Sequence, residues 1–114
     1  MSKVFKVCYE KEWESVKNNA FFEGSEIDQS DGFIHFSTSK QLKGTLEKYF
    51  ARKNHLYLLE VNTDELELVW ELSRNNQLFP HLYKPLPLSA IKKIHRIFMD
   101  INGNHIIPED VYND

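Results

Sequence analysis

Asn102-Gly103 stands between the apolar-alternating runs 91–101 and 104–107 and is the strongest short hairpin signal in the chain. A tight two-residue turn between strands needs positive φ at its centre, which Asn and Gly tolerate. The chain is therefore expected to close on an antiparallel pair.

Other segments fit around that pair. Residues 4–9 are β-branched and aromatic enough for a first strand, and residues 11–18 read as a short helix with Trp13 and Val16 inward, closed by Asn18-Asn19. Residues 55–62 and 66–72 alternate as strands joined by a turn over 62–65. In the second, Leu66, Leu68, Trp70 and Leu72 face one way and Glu67, Val69 and Glu71 the other. Residues 23–32 have the composition of a loop ending in the turn Asp31-Gly32. Residues 74–87, with Asn75-Asn76, Pro80, Pro85 and Pro87, read as an irregular segment that carries Phe79, His81 and Tyr83. With 114 residues, 41% of them apolar, the chain has enough material for one core and not for two. The expectation is a small single α+β domain over 1–114, with antiparallel sheets and two short helices.

The net charge of −3 comes from interleaved acids and bases, without the basic stripe that a phosphate backbone requires. Duplex nucleic acid is not an expected partner, whereas a small-molecule or nucleotide ligand is. Residues 1–9 lack the apolar core of a signal peptide, and no stretch nears the roughly 20 apolar residues of a membrane span, so a cytoplasmic location without membrane contact is expected. Cys8 lies in an apolar alternation and is expected as a buried core thiol. A monomer or weak dimer is expected.

The sharpest local feature is residues 33–37. A strand there places Phe33, His35 and Ser37 on one face and Ile34 and Phe36 on the other, which sets an imidazole beside a hydroxyl. Thr38 and Gln41 then have capping-box spacing, followed by Leu42, Leu46, Tyr49 and Phe50 at helical spacing. The amides of that helix start suit a phosphate or carboxylate. His81 and Tyr83, two apart beyond Pro80, can point the same way. Glu71 is either solvated or aimed into a cleft; beside an imidazolium it stays ionised and can polarise a sugar hydroxyl. The five histidines lack the helical spacing of zinc pairs and there is no Cys-x-x-Cys, so no metal is expected.

Three motifs in order, residues 30–38 with Gln41, Trp70-Glu71-x-Ser73, and Phe79-Pro80-His81-Leu82-Tyr83-x-Pro85-Leu86, resemble the family catalogued as domain of unknown function 952. Members are similar in fold to the catalytic core of ADP-ribosyltransferases, a split pair of antiparallel sheets that grips NAD. The resemblance implies an ADP-ribosyltransferase-like fold and NAD as cofactor. His35 and Ser37, with Thr38, would hold the nicotinamide ribose or the phosphates, and Glu71 would orient the ribose. The resemblance does not extend to the hydroxyl-x-Ser strand motif or the catalytic Glu-x-Glu pair of many toxin transferases. Lys84 stands where the family usually has glycine and adds positive charge beside the pocket; Asn75-Asn76 replaces a glycine-containing turn.

The expected function is accordingly a nucleotide pocket of the NAD or ADP-ribose type, with ADP-ribosyl or related transfer as its reaction. Glu71 and His81 are the catalytic candidates, and His35, Ser37, Thr38, Tyr83 and Lys84 the ligand-binding ones. The alternatives are a non-catalytic small-ligand-binding module and a two-histidine phosphoesterase. The latter needs two His-x-Ser/Thr motifs, and His81-Leu82-Tyr83 breaks the second.

Overall fold

The computed structural model describes residues 2–113. Along the chain run β1 (Lys3–Tyr9), α1 (Glu10–Glu14), β2 (Phe21–Phe22), α2 (Glu26–Asp31), β3 (Ile34–His35), α3 (Leu42–Tyr49), β4 (Leu56–Asn62), β5 (Leu68–Leu72), β6 (Leu78–Leu82), β7 (Leu86–Pro87), β8 (Ile91–Met99) and β9 (His105–Ile106). The strands form three antiparallel sheets, ordered β1-β4-β8-β9, β2-β7 and β3-β6-β5. The chain is thus a small α+β domain.

Alternation along β1 and β4 explains the layering. Val4 and Cys8 with Leu59 and Val61 face a cluster that includes Ile34, Leu82 and Leu86 from the two smaller sheets. Phe5 and Val7 with Leu56 and Leu58 face the opposite way, onto Leu42 and Leu46 of α3. The β1-β4 part of the large sheet is therefore buried on both sides, with α3 on one and the small sheets on the other, while β8 leaves Ile94 and Phe98 exposed. The closing antiparallel pair forms, but over a five-residue loop between Met99 and His105 rather than a two-residue turn: only Gly103 takes positive φ, 81°, and the Asp100 carboxylate accepts the amides of Asn102 and Asn104 at 2.9 and 3.0 Å.

Three stretches depart from the sequence reading. The presumed loop 23–32 contains α2, whose start is tied by Ser25 and Asp28. The presumed irregular stretch after Arg74 contains β6, the central strand of its sheet. Pro80 is tolerated there because its missing N–H faces β3 where that strand ends; only the Pro80 carbonyl is used, accepting from Phe36 N at 3.0 Å. Asn75 and Asn76, both at φ 57°, turn β5 into β6, with Gln77 N donating to Arg74 O at 3.2 Å. The apolar face assigned to β5 is also largely wet: Trp70 is 46% and Leu72 68% exposed. β5 is an edge strand, and the core beneath it reaches only Leu66 and Leu68.

Candidate functional site

The site is built on the register of β3 against β6, which sets His35 directly opposite His81. Opposed residues of an antiparallel pair lie on the same face. The two rings meet edge to face, with centroids 5.3 Å apart at 72°.

His35 is held by α2. Ser25 N donates to Asp28 Oδ2 at 2.9 Å, and Gly24 at φ 101° leaves the space that this turn needs, since a Cβ there would fall 2.6 Å from the Asp28 Cβ. The helix brings Asp28 and Asp31, three residues apart, toward the same ring. His35 Nδ1 lies 2.6 Å from Asp28 Oδ1 and Nε2 lies 3.1 Å from Asp31 Oδ2. Both partners are acceptors, so the doubly protonated ring satisfies both contacts. Asp28 is 1% exposed and also takes Lys6 Nζ at 2.6 Å, Lys6 itself being 4% exposed. Burial pushes the Asp28 carboxyl up, but the His35 hydrogen bond and the Lys6 charge outweigh it and hold the group well below the usual carboxylate range.

His81 has a different environment. Its Nδ1 donates to Glu71 Oε1 at 2.8 Å, and Tyr83 Oη donates to the same oxygen at 2.7 Å. The Tyr83 bond first and the His81 bond second hold the Glu71 carboxyl below its ordinary value; in return Glu71 pushes the Tyr83 hydroxyl up. With a proton fixed on Nδ1, neutral His81 carries its lone pair on Nε2, which has no hydrogen-bond partner among the described residues. A lone pair so placed can accept a proton.

Phe33 completes the surface. Its ring lies 4.2 Å from that of His81, 4.6 Å from His35 and 5.2 Å from Tyr83, centroid to centroid. A cleft of about 300 Å³ opens beside it, lined by Asp28, Gln29, Phe33, Tyr83, Lys84 and Pro85.

The structure brings His35, Glu71, His81 and Tyr83 together. Of the other sequence candidates, Ser37 and Thr38 are engaged elsewhere. Ser37 is not hydrogen-bonded to His35: its backbone leaves β6 and bridges to Phe5 at 2.8 Å in both directions, and its hydroxyl turns to Thr45 Oγ1 at 2.8 Å. Thr38 caps a short 3-10 turn, its N–H bound by Gln41 Oε1 at 3.1 Å. Lys84 lines the cleft but pairs with Glu67 at 2.6 Å. Asp28, Asp31 and Lys6 were missed by the sequence reading. The spacing Ser25-x-x-Asp28 was the available clue, since a hydroxyl three residues before an acid marks a helix start.

A one-domain α+β protein with two carboxylate-anchored imidazoles facing one another across a pair of strands is the class that fold and site define. The chain belongs to the family described as Protein of unknown function (DUF952), whose model matches residues 7–94. It is similar to protein CC0527 from Caulobacter crescentus. Against the crystal structure of that protein the identity is 35% and the TM-score 0.89, covering 96% of this chain and 98% of the other. Against its solution NMR structure the values are 38% and 0.80, with 91% of each chain covered. No curated protein matches the chain.

Proposed function

We propose that the surface of Phe33, His35 and His81, with the cleft beside Phe33, binds a nucleotide of the NAD or ADP-ribose type, and that the protein is an ADP-ribosyltransferase-related enzyme. The observation that carries this reading is the unequal pair of imidazoles. Both nitrogens of His35 face carboxylates, whereas His81 is tied at Nδ1 and open at Nε2. Asp31 is the exposed arm of the first arrangement, so a ribose hydroxyl or phosphate oxygen can take its place on His35 Nε2–H. Phe33 and Tyr83 offer aromatic faces on which a base can stack.

The chemistry fits these roles. In ADP-ribosyl transfer the bond from the ribose anomeric carbon to nicotinamide breaks, its electron pair passes to the pyridine nitrogen, and nicotinamide leaves neutral. The acceptor oxygen or nitrogen bonds to that carbon and its proton passes to His81 Nε2. Glu71, kept anionic by Tyr83 and His81, stabilises the positive charge that develops on the ribosyl ring.

A thermal-shift titration with NAD, ADP-ribose, nucleoside phosphates and cyclic phosphates tests the reading. Ligand at 100 times its dissociation constant adds roughly 2.7 kcal/mol of stability. A shift with NAD or ADP-ribose that disappears in folded His35→Ala is the expected result, and no shift with any nucleotide sinks the proposal. Release of nicotinamide from NAD then separates an enzyme from a binding module, which binds without turnover.

A further inference from the structure

Phe79 and His81 are two residues apart on β6 and so face the same way, and Glu71 stands opposite Phe79 across the β5–β6 pairing. One row along the sheet from the imidazoles, the guanidinium of Arg74 lies over the Phe79 ring at 4.8 Å and over Tyr49 at 5.8 Å. Its Nη1 and Nη2 each donate to Thr45 Oγ1 at 3.3 Å, and Nη2 donates to Gln41 O at 3.3 Å. Thr45 is braced in turn by the Ser37 hydroxyl.

This cation is firmly seated and electrically unanswered. Arg74 has no ion pair among the described residues; Arg52 and several lysines share that condition, but they are exposed and Arg74 is half-buried. Its bonds end on neutral oxygens, and its Nε–H has no partner among those residues. A guanidinium has five donors in a fixed fork; with the end edge on Thr45 and the second Nη2–H on Gln41, the Nε–H is left to point outward as a single donor. The helix beneath makes room for it: a Cβ on Gly44 would lie 3.1 Å from Arg74 Nη2. Glycine inside a helix costs roughly 0.5–1 kcal/mol relative to alanine, and here it lets the guanidinium lie flat against α3.

We infer that Arg74 is an anion-binding arm on the same face of the β3-β6-β5 sheet, receiving a phosphate or pyrophosphate oxygen on its Nε–H. Stacking on Phe79 and the bonds to Thr45 and Gln41 hold the fork in one orientation before the ligand arrives, which limits the entropy lost on binding. That the anion belongs to a nucleotide rests on the proposed function; that Arg74 binds an anion does not.

The test is titration of the full chain with inorganic pyrophosphate, ADP-ribose and nicotinamide riboside, which lacks phosphate, using wild type, Arg74→Gln and Arg74→Lys. Arg74→Gln is expected to weaken pyrophosphate and ADP-ribose at least tenfold and nicotinamide riboside less than twofold, with Arg74→Lys between. In wild-type protein the Arg74 Nε–H resonance is expected to move with pyrophosphate, a readout that needs no variant to fold. Pyrophosphate binding that depends on Arg74 without any nucleoside binding keeps the anion site and removes the nucleotide reading. Nucleotide binding that needs His35 and ignores Arg74 removes the anion site alone. A still Nε–H resonance, or no pyrophosphate binding to wild type, overturns the inference.

Discussion

His35 and His81 occupy directly opposed positions on β3 and β6, and each turns Nδ1 toward a different carboxylate, Asp28 at 2.6 Å and Glu71 at 2.8 Å. Two like rings in one sheet row are thus given separate electrostatic surroundings. A slip of one residue in that pairing would send one ring to the opposite face and abolish the arrangement.

Glu71 decides which nitrogen of His81 carries the proton. In Glu71→Gln the amide can present either its oxygen or its NH2 to the ring, and the Nδ1–H form loses its preference. Nitrogen NMR of the His81 ring should show a single Nδ1–H tautomer in wild type and a mixture in the variant. A pure Nδ1–H ring in both proteins would refute the role given to Glu71.

Asp28 couples the site to stability. Its folded-state carboxyl sits below the 3.8 of the free group, so its contribution is complete above about pH 4 and is lost as pH falls from there through the depressed folded value. Asp28→Asn strands Lys6 in the core, and breaking a buried pair in this way costs about 3–5 kcal/mol. Thermal melts at pH 7 should show a large drop in the variant, and the gap to wild type should narrow below about pH 4. A drop of less than about 4 °C, roughly 1 kcal/mol, would contradict this account.

Cys8 is fully buried and its thiol is pushed up to about 12, first by burial, with Lys6 opposing and Glu12 and Asp28 adding to the rise. Thiolate is the reactive form, so native protein at pH 8 should resist an alkylating reagent and the urea-unfolded chain should react at once. Equal rates in the two states would mean that the core opens around Cys8.

The β5–β6 turn has room for improvement. Asn76 sits at φ 57°, a conformation that glycine adopts without steric cost, and Asn-Gly is the favoured pair for such turns. Asn76→Gly should raise stability by about 0.5 kcal/mol in urea unfolding, while Asn76→Val should lower it by about 1 kcal/mol or more. The reverse order would show that the turn changes conformation in the variants.

Local chemistry made much of this molecule legible. Alternation located β1, β4 and β8, Asn102-Gly103 located the last hairpin, and the Thr38-Gln41 spacing located the start of the segment leading into α3. These features report backbone preference and period over a few residues, which a sequence carries directly. The pairing of His81 with Tyr83 on one side was readable for the same reason.

Which carboxylate meets which histidine was decided only by tertiary structure. Asp28 lies in a stretch whose composition reads as a loop, and its partners Lys6 and His35 come from β1 and β3. Trp70 and Leu72 alternate as a buried face would, yet they lie over the edge of the core, because burial depends on what packs opposite a strand and not on the strand alone. Pro80 argues locally against a central strand and is admitted because β3 ends where its missing N–H would be needed. Residues far apart in the chain set each of these outcomes through sheet register and layer packing, and no short window of sequence contains both partners.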